Sequence, residues 1–126
     1  KIHHALKHTT DEVHRRRPHL RRNFDNSVFP CATFNLGPRA VSLPHRDSLN
    51  MACGVCAVHA QGHFDADRGG HLILWDLKLI IRFPAGATLV FPSALIRHSN
   101  VAISPNEVRR SFTMFCPGHL SRWVYN

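Results

Sequence analysis

The chain has 126 residues, which is enough for one domain. Hydrophobic residues make up 44%, enough to bury a core, but no stretch approaches the roughly 20 apolar residues that span a membrane, so a membrane protein is excluded. The formal net charge is +8, from 16 Lys and Arg against 8 Asp and Glu, and 11 His add to it below about pH 6.5. This balance favours a polyanionic partner, most economically nucleic acid, unless a basic arm alone inflates the total.

Residues 1–25 differ from the rest and are predicted to form a basic N-terminal arm, with one domain over 26–126. The first 22 residues hold seven Lys or Arg and five His. The stretch Thr10-Asp11-Glu12-Val13 is able to cap a short helix, which Pro18 would end or kink. The alternatives are a helical arm, a disordered arm, a phosphate-contacting arm and a nuclear localisation signal. Because the chain starts without Met, we expect a fragment of something longer.

The remaining chain alternates short apolar runs with turn signals, spaced every eight to twelve residues. This pattern predicts eight strands, or nine if the short run 101–103 is counted, and it is typical of a β-sandwich or barrel. Eight strands in two sheets correspond to a double-stranded β-helix of the jelly-roll or cupin type. The predicted strands are 27–29, 31–36, 51–60, 71–75, 77–83, 87–91, 107–116 and 120–125.

The stretch Leu43-Pro44-His45-Arg46-Asp47 and the distant His98 match the ligand pattern of a facial iron site. Two residues apart on an extended segment, His45 and Asp47 point the same way, while Arg46 faces elsewhere. His98 is expected to come from a strand across the barrel. Two imidazoles and one carboxylate leave open positions for a cosubstrate and O₂, so this set predicts an Fe(II) centre.

Arg109 lies eleven residues after His98, on a predicted strand. Alternation places Arg109, Ser111 and Thr113 on one face, and a guanidinium flanked by two hydroxyls is a good carboxylate pocket. Asn35 is a polar residue in an otherwise apolar strand, either near an edge or facing a ligand.

The four cysteines lie in or beside apolar runs, which fits free thiols in a reducing, intracellular compartment. Cys53-x-x-Cys56, followed by His59 and His63, has a spacing that zinc sites also use. Residues three apart on a strand face opposite sides, so packed thiols and surface histidines are the favoured interpretation.

Several blocks together resemble the TET/JBP-like dioxygenases, most of all the expanded set of basidiomycete fungi that is associated with transposons. The resemblance covers about residues 19–126. Its blocks are Phe34-Asn35-Leu36-Gly37-Pro38, His45-Arg46-Asp47, Gly69-Gly70-His71-Leu72-Ile73-Leu74-Trp75-Asp76-Leu77, Phe83-Pro84-Ala85-Gly86, Pro92-Ser93, His98-Ser99-Asn100, and Arg109 with Ser111-Phe112-Thr113.

The resemblance implies a double-stranded β-helix that uses Fe(II), 2-oxoglutarate and O₂. By that likeness His45, Asp47 and His98 bind iron, Arg109 holds the far carboxylate of 2-oxoglutarate, and Asn35 contacts the cosubstrate. It implies oxidation of the methyl group of 5-methylcytosine or thymine in nucleic acid, most simply DNA in the nucleus. The alternatives are a dioxygenase with another substrate and a non-catalytic nucleic-acid-binding module of the same fold.

Overall fold

The computed structural model of the protein describes all residues from 1 to 126 and is mainly β, with one helix at each end. The helices are α1 (Ile2–Arg16) and α2 (Gly118–Tyr125). The strands are β1 (Cys31–Asn35), β2 (Cys56–His63), β3 (Leu72–Leu74), β4 (Leu79–Ile81), β5 (Thr88–Phe91), β6 (His98–Asn100) and β7 (Val108–Phe115). A short 3-10 helix, Trp75–Leu77, lies between β3 and β4.

Two antiparallel sheets make up the β part, which is consistent with a small β-sandwich. The larger has the order β1-β7-β2-β5 and the smaller the order β4-β3-β6. The eight-residue strand β7 pairs with β1 on one side and β2 on the other, so side chains from three strands meet along it.

The hydrophobic core lies between the two sheets. It is contributed by β2, β3, β5 and the turn before β5, and its buried members are Cys56, Ala60, Leu72, Leu74, Phe83 and Phe91. On β3 the two leucines point inward and Ile73 between them is less buried, which is the period-2 alternation of a half-buried strand.

Of the four alternatives for the N-terminal arm, the structure shows a helical arm rather than a disordered one over residues 2–16. The buried side chains of α1 recur at helical spacing, and they are Leu6, Thr9, Thr10 and Val13. Burying Leu6 fully contributes about 1.5–3 kcal/mol. The guanidinium of Arg16 donates to the backbone carbonyls of Trp123 and Val124 in α2, at 3.3 and 2.9 Å. Neither helix has the length and apolar run that a bilayer crossing requires.

The prediction of a strand over 120–125 is wrong, because this segment is helix α2. Its buried residues are Ser121 and Val124, three apart, and they lie on one face of the helix. Short apolar runs carry too few residues for their period to be read, so strand and helix are easily confused there.

Other predicted strands are shorter or absent. Residues 27–29 and 101–103 form no strand, and the strand predicted from 51 begins only at Cys56, after a turn in which Gly54 N–H donates to the carbonyl of Met51. The strand predicted from 77 begins at Leu79, after Lys78 takes a left-handed conformation with φ 54°. Backbone groups in these segments pair through turns, through side chains or through isolated bonds such as that from Val101 N–H to the carbonyl of His71, which apolar composition does not predict.

Candidate metal centre

His45, Asp47 and His98 form a compact group of ligand atoms that could hold a metal ion. Their candidate ligand atoms all lie within 4.8 Å of one another. The Nε2 atom of His45 is 3.3 Å from Oδ1 of Asp47, and Nε2 of His98 is 4.0 Å from Oδ2 of the same carboxylate. No other group of three or more His, Cys, Asp or Glu side chains in the chain meets this condition.

Backbone pairing brings the two histidines together. The N–H of His45 donates to the carbonyl of His98 at 3.0 Å, and the N–H of His98 donates back at 2.9 Å. As predicted, His98 lies on a strand, β6. This strand is not across a barrel from His45, because the two residues form an antiparallel backbone bridge with each other. An isolated bridge outside the named strands leaves no periodic pattern in the sequence, so this pairing was not predictable.

Both imidazoles are held in the tautomer that suits metal binding. Nδ1 of His45 lies 2.7 Å from the carbonyl of Leu43, and Nδ1 of His98 lies 2.8 Å from the carbonyl of Ile96. A carbonyl only accepts, so each Nδ1 carries a proton, and in the neutral form of each ring Nε2 keeps a free lone pair. Such a hydrogen bond to the remote ring nitrogen is the usual second contact of a metal-binding histidine.

Burial favours the neutral form of His98. Only 6% of its surface is exposed, and burial lowers the pKa of this imidazole, opposed by the hydrogen bond to Ile96. A neutral imidazole is the form that binds metal, so the environment of His98 keeps it available as a ligand.

Arg109 is a buried cation without a carboxylate partner. It is 3% exposed, its Nη1 donates to the carbonyl of Ala40 at 2.9 Å, and its Nε is buried with no hydrogen-bond partner. Burial lowers the pKa of Arg109, and no acidic side chain forms an ion pair with it. Because an unpaired buried charge is costly, this arrangement calls for an anionic ligand.

The remaining predicted residues lie in the same cavity. Its volume is about 720 Å³, within the range of small-molecule sites. Alternation on β7 is as predicted at its start, with Arg109 and Ser111 buried and Arg110 exposed. Asn35 pairs with Ser111 across β1 and β7, and its side-chain amide donates to the Ser111 hydroxyl at 3.1 Å. The residues predicted for metal and cosubstrate all line this cavity: Asn35, His45, Asp47, His98, Arg109, Ser111 and Thr113.

Sequence reasoning missed two features of the cavity. Asn100 on β6 donates to the carbonyl of Ala40 at 3.3 Å and accepts from the backbone N–H of Ser42 at 2.7 Å, so it connects a ligand-bearing strand to the wall beside Arg109. Leu36 and Val41 line the cavity although they are 71% and 58% exposed. Asn100 belongs to the block His98-Ser99-Asn100 that carries the family resemblance, but nothing in the sequence assigned it a role.

The Cys53-x-x-Cys56 pair is not arranged as a joint ligand set. Cys53 is exposed in the turn before β2, whereas Cys56 is buried in the core. His59 faces the outer side of the larger sheet, where its Nδ1 lies 2.8 Å from the hydroxyl of Thr88.

No protein-family model matches the chain, and no curated protein matches it. Among solved structures the chain is similar to NgTET1 in complex with 5mC DNA, with a TM-score of 0.63 and 22% sequence identity. The match covers 74% of this chain and 36% of the NgTET1 chain, so the protein spans about a third of the length of that relative. The likeness shows a TET-like fold over the matched part of this chain.

Proposed function

We propose that the protein is an Fe(II)- and 2-oxoglutarate-dependent dioxygenase that oxidises the methyl group of 5-methylcytosine, or of thymine, in nucleic acid. The observation that carries this proposal is the convergence in one cavity of a His-Asp-His group and a buried guanidinium without a carboxylate. Few chemistries need both a facial metal site and a receptor for an organic anion beside it.

The residues fit the groups that the proposal requires. His45, Asp47 and His98 would hold the iron through two Nε2 atoms and one carboxylate, the donor set of non-haem iron oxygenases. Arg109 would bind the far carboxylate of 2-oxoglutarate, with Nε among the donors. Ser111, Thr113 and Asn35 line the same wall and would supply further hydrogen bonds.

When bound, Fe(II) and 2-oxoglutarate together activate O₂, so that one oxygen atom enters the substrate methyl group and the other enters succinate, with release of CO₂. The contribution of this chain is binding and orientation. The Nδ1 bonds to the carbonyls of Leu43 and Ile96 fix both imidazoles, and the guanidinium of Arg109 would orient the cosubstrate within the same cavity.

Three observations support nucleic acid as the substrate. The net charge of +8 suits a polyanion. The exposed apolar side chains of Leu36 and Val41 at the cavity are suited to contact with the face of a base. The relative NgTET1 has been solved in complex with 5mC DNA. Because a methyl group inside a duplex is hard to reach, the target base would be flipped out of the stack.

The proposal includes four finer points. The two sheets are part of a double-stranded β-helix of jelly-roll type, and the chain is of the TET/JBP-like kind found in basidiomycete fungi. Residues 1–25 act as a basic arm beside a catalytic domain over 26–126. The protein acts in the nucleus.

The direct test is mass spectrometry of nucleosides after the protein is incubated with methylated DNA, Fe(II), 2-oxoglutarate and O₂. We expect an oxidised methyl group on cytosine or thymine together with succinate. His45→Ala should abolish iron binding and both products while leaving the β fold in place by circular dichroism. His59→Ala, a histidine on the outer face of β2, is the matched control and should keep full activity.

The outcomes separate the alternative functions. Succinate that depends on another added substrate, without an oxidised base, would point to a dioxygenase acting outside nucleic acid. Neither product, with tight DNA binding, would point to a non-catalytic module. Iron retention by His45→Ala would contradict the ligand assignment.

A further inference from the structure

The 3-10 helix between β3 and β4 carries an acidic side chain, Asp76, that contacts both ligand-bearing segments. The Nη2 of Arg46 donates to both oxygens of the Asp76 carboxylate at 3.1 Å. The backbone N–H of Arg97 donates to Oδ2 of the same carboxylate at 2.7 Å. Arg46 stands between His45 and Asp47, and Arg97 immediately precedes His98.

Further contacts hold this arrangement in one position. Nε of Arg46 donates to the carbonyl of Leu95 at 2.9 Å, so this guanidinium spans from the first ligand segment to the second. Trp75, beside Asp76, donates its backbone N–H to the carbonyl of Arg97 at 2.8 Å and its indole N–H to the hydroxyl of Ser99 at 3.0 Å. The 3-10 helix is therefore hydrogen-bonded to the residues on both sides of His98, Arg97 and Ser99.

We infer that Asp76 is a positioning residue for the metal site, which holds the segment 45–47 and the start of β6 in the register that brings the three ligand atoms together. This inference rests on the proposed function. Asp76 does not line the cavity, and it acts through Arg46 and Arg97. Partners of this kind, behind the ligands themselves, set metal affinity because they orient the ligating side chains.

The ion pair of Arg46 and Asp76 is exposed, which argues against a role in stabilising the fold. The side chains of Arg46 and Asp76 are 48% and 41% exposed, and ion pairs this exposed contribute little to the free energy of unfolding. Removing Asp76 should therefore change the geometry of the ligands more than the stability of the fold.

The test is the affinity of metal-free protein for Fe(II), measured anaerobically by titration calorimetry, with the visible absorption of bound Co(II) as a second readout. Asp76→Ala should raise the dissociation constant by about 10-fold or more and alter the Co(II) spectrum. Asp76→Asn should lose less affinity, since an amide oxygen still accepts from Arg97 N–H. Arg46→Ala should bind Fe(II) several-fold more weakly while keeping the bond from Arg97 N–H to Asp76. If Asp76→Ala fails to fold, Arg46→Ala provides the test.

The matched control is Asp67→Ala. Asp67 also forms an exposed ion pair with an arginine, Arg82, but neither residue is adjacent to a ligand. Asp67→Ala should bind Fe(II) as the unmodified protein does, and its melting temperature should fall by about as much as that of metal-free Asp76→Ala.

Two results would overturn the inference, and they differ. If the unmodified protein binds Fe(II), His45→Ala does not, and Asp76→Ala and Arg46→Ala stay within about twofold of the unmodified protein, then the positioning role is wrong and the proposed function stands. If the unmodified protein itself binds no Fe(II) or Co(II), then both the proposed metal centre and the positioning role of Asp76 are wrong.

Discussion

At the scale of single residues, Arg109 is the side chain whose surroundings most need an explanation. It is only 3% exposed, it lines the same cavity as the metal-ligand group, and its buried Nε has no hydrogen-bond partner. An anion in the cavity would satisfy that donor and offset the cost of burying the charge.

Arg109→Ala should therefore raise the concentration of 2-oxoglutarate needed for half-maximal turnover by about 10- to 100-fold, because losing hydrogen bonds to a charged group costs roughly 1.5–3 kcal/mol. The measurement is succinate formation against cosubstrate concentration. Arg110→Ala is the matched control, since Arg110 is the next residue of β7 and lies exposed on the opposite face. A normal cosubstrate requirement in Arg109→Ala, with a raised one in Arg110→Ala, would move the carboxylate receptor to Arg110.

The thiols provide a second test at this scale. Burial raises the pKa of Cys56 and of Cys116 to about 11, so neither forms much thiolate near neutral pH. Burial also raises the pKa of Cys31, whereas Cys53 is exposed.

At about pH 8 an alkylating reagent should modify Cys53 first and should reach Cys56 and Cys116 only after denaturant is added. Mass spectrometry of the alkylated peptides against time gives the order. Modification of Cys56 at the rate of Cys53 in the folded protein would show that the core around β2 is open.

At the scale of elements, helix α1 depends on charges along its exposed face. The carboxylate of Glu12 accepts from Arg15 at 2.8 Å and from Arg16 at 3.2 Å, and Arg16 also contacts α2. The hydrogen bonds from Arg15, and then the charges of Arg15 and Arg16, lower the pKa of Glu12 from 4.5 to about 2.

Because the pKa of Glu12 is lower in the folded state, its contribution to stability is present above about pH 4.5 and is lost as the pH falls towards 2. Glu12→Gln should therefore be less stable than the unmodified protein at about pH 5, and the difference should shrink by about pH 2. Urea unfolding followed by circular dichroism at both pH values measures it. A difference that is the same at both would mean that the carboxylate charge has no part in holding α1.

Elements also differed in how well the sequence predicted them. Strand β7 was predicted to within a residue or two, because polar and apolar residues alternate from Ser111 to Met114 and the surrounding run contains no Gly or Pro. Helix α2 was predicted as a strand and the full length of α1 was missed, although the buried residues of α1 have helical spacing. The positive charge of this segment suggested a disordered arm in water. In the structure Leu6, Thr9, Thr10 and Val13 pack inward instead.

At the scale of the whole molecule, the net charge of +8 makes a quantitative prediction about DNA binding. Each phosphate contacted by a Lys or Arg releases counterions, so the affinity falls steeply with salt. We expect the affinity for a methylated duplex to fall at least ~10-fold between about 50 and about 200 mM salt. Fluorescence anisotropy with a labelled duplex measures it, and an affinity that does not change with salt would contradict a phosphate-based interface.

By itself the sequence determined the mainly β character, the chemistry of the candidate ligands, and the face of β7 on which Arg109 and Ser111 lie. Each is a local property, since residue type and a period of two are readable over a few neighbours. The likeness to NgTET1 agrees with the predicted TET-like fold, while the assignments to iron and 2-oxoglutarate remain predictions.

Only the tertiary structure decided that His45 and His98 pair directly through their backbones, that Arg109 is buried without an acidic partner, and that Asp76 joins both ligand segments. These facts depend on contacts between residues 21 to 69 positions apart, made through one backbone bridge and through side-chain hydrogen bonds. Such contacts depend on how the two sheets pack around one cavity. They cannot be predicted from a periodic pattern of residues along the chain.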